Sequence, residues 1–306
     1  MQQVVVFKAW EGFGDRLTVL THLLAYCQKH DAAICVDWRD ENWGHGKFDF
    51  WDFFDLEGVK VLTLEEVGKM EGAKIMPEAW DMASIMRPIT QWQQRDPFVA
   101  EIMRESYEKG TGDIIVTNGA GWRRYDGYHV AKHLRFQPKV AAEIERRLTG
   151  MQLPATVVHL RGTDRSDGDA MKGWLEKYEA LMPHQKERIY HITDDRKVAA
   201  EWVKNVPQSK LLNPASAVLR LPSSSKQGTH QLCAEALEYY RISKWDLTLD
   251  ALTEFTGLAF ATDAIGLEKS TFYQMARAVA PFKAEAVSLL LGGWMPKRAS
   301  LVANRP

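Results

Sequence analysis

VVHLRGTDRSDGDAMKGW, Val157 to Trp174, is an apolar run that ends in His-x-Arg and spills into a loop carrying Asp164, Arg165, Asp167 and Asp169. The run has the length and composition of a buried strand, the kind that alternates with helices in an α/β sheet. His159 and Arg161 alternate onto one face and bring a cation to the strand's end. Such a cation, with carboxylates a few residues on, suits an anionic ligand and a proton transfer. Charges decorating a solvated loop explain the same residues without chemistry.

The same alternation runs through the rest of the 306 residues. Val4 to Ala9 reads as a short strand, Asp15 to His30 as a helix with Leu17, Leu20, Leu23, Leu24 and Cys27 at helical spacing, and Ala32 to Trp38 as the next strand. Further strands are expected at Val59 to Leu62 and Asp113 to Thr117, and a helix at Pro138 to Gly150, with proline in its first turn and glycine after its end. The linker GMQLP breaks the pattern before Val157, which predicts two domains, 1–150 and 151–306, both Rossmann-like α/β units. The length supports two cores.

Composition narrows the function classes. With 45% hydrophobic and 26% charged residues, and 39 basic against 40 acidic side chains without clusters, the chain shows no footprint for nucleic acid or an anionic membrane. The N-terminal MQQVVVFKAW has no basic segment leading into a long apolar one, and no window reaches the ~20 apolar residues of a membrane span, so a cytoplasmic location is expected. Cys27, Cys35 and Cys233 lack CxxC spacing and suit a reducing compartment, as small core residues.

Three strand ends of the second half look alike: VVHLRGTD at Thr163-Asp164, RIYHITDD at Asp194-Asp195, and GLAFATD at Thr262-Asp263. Ligands of open α/β sheets bind outside the carboxyl ends of parallel strands, so these ends are expected to share a pocket. KSTFYQMARAV follows, where Ser270 or Thr271 can cap a helix whose free N–H groups would face an anion. Two half-sheets facing across a cleft would form the GT-B arrangement of many nucleotide-sugar glycosyltransferases.

GFGDRL (Gly12 to Leu17), ICVDWR (Ile34 to Arg39), VHLRGTDR (Val158 to Arg165), HITDD (His191 to Asp195) and KSTF before a helix occur in an order that resembles the rhizobial chitin-oligosaccharide fucosyltransferases and the related core α1,6-fucosyltransferases. The resemblance spans most of the chain, thinly, and is carried best by His-x-Arg-x-Thr-Asp-basic. It implies a donor site made of Gly12, Gly14, Asp15, His159, Arg161, Asp164, Asp194, Asp195, Ser270, Thr271 and Phe272. It also implies GDP-fucose as donor, a glycan acceptor bound against the first domain, inversion at the anomeric carbon, and no metal or other cofactor. The family often has a second basic residue after the arginine, where this chain has Gly162.

Each of these positions has a plainer explanation. GFGDR lacks the third glycine of GxGxxG and the GK[ST] of a P-loop, and by itself is a tight turn. His159 on an apolar strand is by itself a core histidine, given a donor-positioning role only by its companions Arg161 and Asp164. Asp194 and Asp195 either hold the nucleotide or cap the helix after them. The aromatics Trp43, Phe48, Phe50, Trp51, Phe53 and Phe54 are core first and a sugar platform second. His129 and His133 share a helix face without a third ligand, and Asp167-Gly168-Asp169 is a weak Asp-x-Asp, so no metal is assigned. NGAGWRR, Asn118 to Arg124, lines the acceptor side or is a solvated loop.

Breaking the bond between a sugar and a diphosphate builds negative charge on the leaving phosphate, and a cation held there binds more strongly as the charge grows. Arg161 is expected to be that cation, assisted by Arg165. The attacking hydroxyl needs a carboxylate to take its proton. The resemblance implies Asp169, with Asp167 and Asp164 as rivals and Asp164 the more suited to orienting. The expected function is therefore a fucosyltransferase; the alternatives are another nucleotide-sugar transferase, a nicotinamide-dependent oxidoreductase using GFGDR, and a non-catalytic glycan-binding protein.

Overall fold

A computed structural model describes residues 2–9, 12–39, 49–89, 112–118, 127–162, 169–221 and 234–282. The strands are β1 (Val4–Lys8), β2 (Ala33–Asp37), β3 (Phe54–Leu56), β4 (Ile75–Met76), β5 (Ile114–Thr117), β6 (Leu134–Phe136), β7 (Thr156–Leu160), β8 (Ile189–Thr193), β9 (Lys210–Leu211) and β10 (Asp263–Ile265). The helices are α1 (Phe13–His30), α2 (Leu64–Gly68), α3 (Met82–Met86), α4 (Tyr128–His133), α5 (Pro138–Leu148), α6 (Ala170–Glu179), α7 (Arg196–Asn205), α8 (Ala234–Tyr239), α9 (Lys244–Phe260) and α10 (Thr271–Val279).

Two parallel sheets result, in the orders β2-β1-β5-β4 and β10-β7-β8-β9, with a short antiparallel ribbon of β3 and β6. Both are built around a fully buried central strand, VVVFK in the first and TVVHL in the second. Such strands need cover on both faces, which the intervening helices supply. α1 starts at Phe13 and ends where Asp31 turns left-handed at φ 52°, its N–H returning to the carbonyl of Cys27. α5 carries Pro138 in its first turn.

Two expected strands differ. Val59 to Leu62 contributes only a single bridge, Val61 to Ile34, squeezed between the left-handed Gly58 and the Thr63 cap of α2. GLAFATD is not a strand ending at Asp263. Gly257 to Phe260 closes the 17-residue α9, and Asp263 begins β10. An apolar stretch buried along most of its length reads alike as strand and as helix, and here the Ser243–Asp246 capping box marks a helix start too far upstream for a strand.

One continuous hydrophobic core runs from the helices of the first sheet into α9 and α10 of the second half. Its centre is Phe13, whose ring lies edge-on to Trp38 at 6.1 Å and to Phe255 at 5.1 Å, stacks on Phe54 at 6.3 Å and meets Phe272 at 6.2 Å. The expectation that Phe50, Phe53 and Phe54 serve packing first matches their complete burial, while Trp43 and Phe48 lie outside the described residues. Cys27 and Cys35 are buried, and burial pushes both thiols up to about 12; Cys233 lies outside the described residues.

The GFGDR glycines make no tight turn: Gly12 is extended backbone before α1, and Gly14 is already helical. Gly14 sits in the first turn of α1, where a Cβ would come within 2.4 Å of the Phe272 nitrogen and 2.5 Å of the Thr271 carbonyl carbon. Only glycine lets the backbones of α1 and α10 touch. Gly14→Ala is therefore expected to cost about 1–3 kcal/mol in urea unfolding, because backbone cannot yield as a side chain does. Gly150→Ala, with open space around its Cβ, should stay within ~0.5 kcal/mol and serves as the control.

Candidate active site

In each sheet the chain leaves the central strand first to one side and later to the other. The reversal lies between β1 and β5 in the first sheet and between β7 and β10 in the second. The crevice outside the carboxyl ends of such strands is where open α/β sheets take ligands. β7 ends in Leu160 and continues into Arg161 and Gly162, while β10 leads within a few residues to the start of α10. Arg161 and the start of α10 thus lie at the second reversal.

Arg161 keeps only a small part of its side chain accessible and pairs with Asp194, Nε to Oδ2 at 3.7 Å. That separation is an ion pair too long for a good hydrogen bond. Asp194 also accepts from the Gly162 N–H at 2.6 Å, tying the end of β8 to the end of β7. The two adjacent acids have separate jobs, for Asp195 is the one that caps α7, accepting from the Lys197 N–H at 2.7 Å. A Cβ at Gly162 would lie 2.6 Å from Asp195 Cβ and from Val198 Cγ2, so the start of α7 occupies the space a second basic residue would need.

His159 is buried one position inside the strand end, its ring 5.4 Å from Phe272 and 6.4 Å from Tyr273. Burial, and then the charge of Arg161, push its pKa down to about 3, so the imidazole is neutral near pH 7. Its Nδ1 is buried and has no hydrogen-bond partner among the described residues. Across from it, the Thr271 hydroxyl donates to Asp15 Oδ2 at 3.0 Å, a bond spanning 256 residues of sequence. Ser270 caps α10 by accepting from the Tyr273 N–H at 3.4 Å, and Gly12 precedes α1 with extended backbone. His159, Gly14, Asp15, Thr271 and Phe272 therefore meet, with both helix N-termini beside them. Helix N-termini favour anions.

Asp169 precedes α6. It is exposed at the start of α6 and makes no capping bond there. Asp164, Arg165 and Asp167 lie outside the described residues, as does all of NGAGWRR except the buried Asn118. His129 and His133 stack at 6.1 Å, with His133 Nδ1 2.7 Å from the Glu57 carbonyl oxygen. No group of three metal-ligating side chains occurs among the described residues. No helix among them is long and apolar enough to cross a membrane.

Sequence reading missed Arg16 and Glu254. Arg16 is fully buried in α1, donating from Nη1 to the Trp38 carbonyl at 3.0 Å with its guanidinium carbon 5.2 Å from the Trp38 ring centre. Glu254, on α9, is half-buried, with Asp250 and Asp194 near enough to act on its charge. Burial first, then the charges of Asp250 and Asp194, hold its carboxyl well above the usual range. As pH rises past that range the unfolded chain ionises while the folded one keeps its proton. Stability then falls by up to about 1.4 kcal/mol per pH unit until the folded group titrates. Glu254→Gln should accordingly raise the urea midpoint at pH 8 and leave it unchanged at pH 4.

Known proteins were compared with this geometry. No protein-family model matches the chain, and no curated protein matches it in sequence. Solved structures do match. NodZ α-1,6-fucosyltransferase co-crystallised with GDP superposes with a TM-score of 0.62 at 19% identity, over 92% of this chain and 93% of that one. The chain has the GT-B fold. Fucosyltransferase NodZ from Bradyrhizobium matches at TM-score 0.62 and 18% identity, over 92% and 94% of the two chains. NodZ soaked with GDP-fucose matches at 0.57 and 17% over the same shares. The expected arrangement of two Rossmann-like sheets is thus the observed one.

Proposed function

We propose that the chain is an inverting, metal-independent fucosyltransferase that moves fucose from GDP-fucose to a hydroxyl of a glycan. The observation that carries the reading is the assembly at the β7/β10 reversal, where Arg161 ends a buried strand beside neutral His159 and two helix N-termini converge. In support, NodZ, which shares the fold, has been crystallised with GDP and soaked with GDP-fucose.

In this reading Arg161 meets the diphosphate as negative charge grows on it, exchanging its 3.7 Å contact with Asp194 for a stronger one. Asp194 keeps the strand end in place through the Gly162 N–H. The converging starts of α1 and α10 offer backbone N–H groups to the same anion. Asp169, exposed and uncommitted to a cap, takes the proton of the attacking hydroxyl, with Arg165 assisting at the phosphate. The nicotinamide-dependent alternative needs GFGDR as a glycine-rich turn, and here Gly14 lies instead within the first turn of α1, against the Phe272 backbone.

Thermal-shift measurements with GDP, UDP, ADP, dTDP, CMP and NAD test the donor. A ligand that binds only the folded state stabilises it by mass action, about 2.7 kcal/mol at one hundred times its Kd. GDP should give the largest shift at equal concentration. A larger shift with UDP or dTDP would assign another nucleotide sugar, and one with NAD would overturn the reading.

A further inference from the structure

The carboxyl edge of the first sheet carries a second constellation, centred on Arg39. Asp37, the last residue of β2, is 1% exposed and pairs with Lys8, which is fully buried at the end of β1. Lys8 is pinned in turn by the carbonyls of Ile85 at 2.7 Å and Arg87 at 2.5 Å. Arg39 grips the same carboxylate, Nε to Oδ1 at 2.9 Å and Nη2 to Oδ2 at 3.0 Å, while its backbone N–H reaches Oδ1 at 3.0 Å. Nη2 also touches the Met86 carbonyl at 3.3 Å.

A guanidinium held through Nε and Nη2 turns Nη1 to the opposite edge of its plane. Among the described residues no acceptor takes either Nη1 proton, and the side chain is 32% exposed. Asp49, a further carboxylate nearby among the described residues, accepts the N–H groups of Trp38 and Phe50, both at 2.7 Å, and acts on Arg39 only through its charge. Arg39 and Lys8 together hold the buried Asp37 carboxylate in its ionised form. What Arg39 adds is a fixed pair of outward donors. Holding that fork in advance reduces the entropy a ligand must otherwise overcome.

We propose that Arg39 determines acceptor specificity and that the glycan it selects carries an oxyanion, a carboxylate or a sulfate, bound by the two Nη1 protons. The inference rests on the fucosyltransferase reading only in taking the first sheet as the acceptor side. A neutral hydroxyl would occupy the same protons, but a charged acceptor makes a hydrogen bond about twice as strong and is the partner a rigid cation discriminates for.

Calorimetric titration of GDP-saturated protein with three tetrasaccharide probes tests it: chitotetraose, its 6-O-sulfated form, and hyaluronan tetrasaccharide. At least one acidic probe should bind roughly tenfold or more tighter than chitotetraose, with the advantage shrinking as salt is raised. Which one does so separates sulfate from carboxylate. Arg39→Gln should erase the advantage, Arg39→Lys should keep part of it, and GDP protection should be unchanged in both. Equal binding of all three probes by the wild type overturns the proposal, as does an Arg39→Gln protein that keeps the preference. If Arg39→Gln loses GDP protection, Arg39 belongs to the donor side and the proposal fails. Absence of GDP protection in the wild type would instead sink the donor reading, and titration without nucleotide would still decide this one. Should Arg39→Gln not fold, the wild-type preference and its salt dependence decide it.

Discussion

Asp169→Asn is expected to lower the rate of transfer by roughly 100- to 10,000-fold, the range lost when a general base is removed, while GDP affinity and folding stay as they are. The structure makes the second half of that expectation specific. Asp169 is exposed, opens α6 and makes no capping hydrogen bond, so neutralising it should change stability by less than ~0.5 kcal/mol. The substitution keeps shape and volume and removes only the proton acceptor. Single-turnover rates and GDP titrations on the same preparation separate the outcomes. Loss of rate with affinity intact supports the base; joint loss moves Asp169 to donor binding; a normal rate returns the residue to solvent and makes Asp167 the next to test. Added EDTA should leave the wild type active, since the proposed chemistry routes no step through a metal.

Arg161→Ala should slow turnover by roughly 30- to 1000-fold, equivalent to about 2–4 kcal/mol of transition-state stabilisation lost with a desolvated phosphate partner. Folding should survive, because Asp194 retains the Gly162 N–H. Arg161→Lys is the informative companion. It keeps the charge and gives up the planar fork, so recovery of only part of the rate would show that two-point contact with the phosphate is what matters. A fully active Arg161→Ala protein would reduce the arginine to a partner for Asp194.

Much of this architecture can be read from local pattern alone. Val4 to Lys8 and Thr156 to Leu160 are short apolar runs bounded by polar residues, and each is the central strand of a parallel sheet. Helix α9 was misread because LTLDALTEFTGLAF is apolar along most of its length, and periodicity separates buried helix from strand only when one face is polar. The glycines of GFGDR drew attention for the wrong physical reason. Their spacing suggests a turn or a phosphate loop, and nothing local discloses that Thr271 and Phe272, more than 250 residues on, press against Gly14. Glu254 looks like any helical acid, and the charges that act on it, Asp194 just after β8 and Arg147 on α5, are brought near it only by the fold. Asp194 and Asp195 are adjacent in sequence, yet one turns to the neighbouring strand and the other to its own helix, which the dipeptide alone leaves open.

The contact between the starts of α1 and α10 also limits how such a chain can be recombined. GT-B enzymes invite chimeras in which one half is exchanged for a relative's to graft a new acceptor onto an existing donor. Here the seam of that exchange runs through Phe13, packed between both halves, and through a glycine that accepts no side chain against the Phe272 backbone. A graft cut at the linker near Met151 would bring together a foreign helix start and a resident one, each shaped for a different partner. The heritable unit is the junction, so a working hybrid would carry residues 12–16 and 270–272 from the same parent, whichever sheet it borrows.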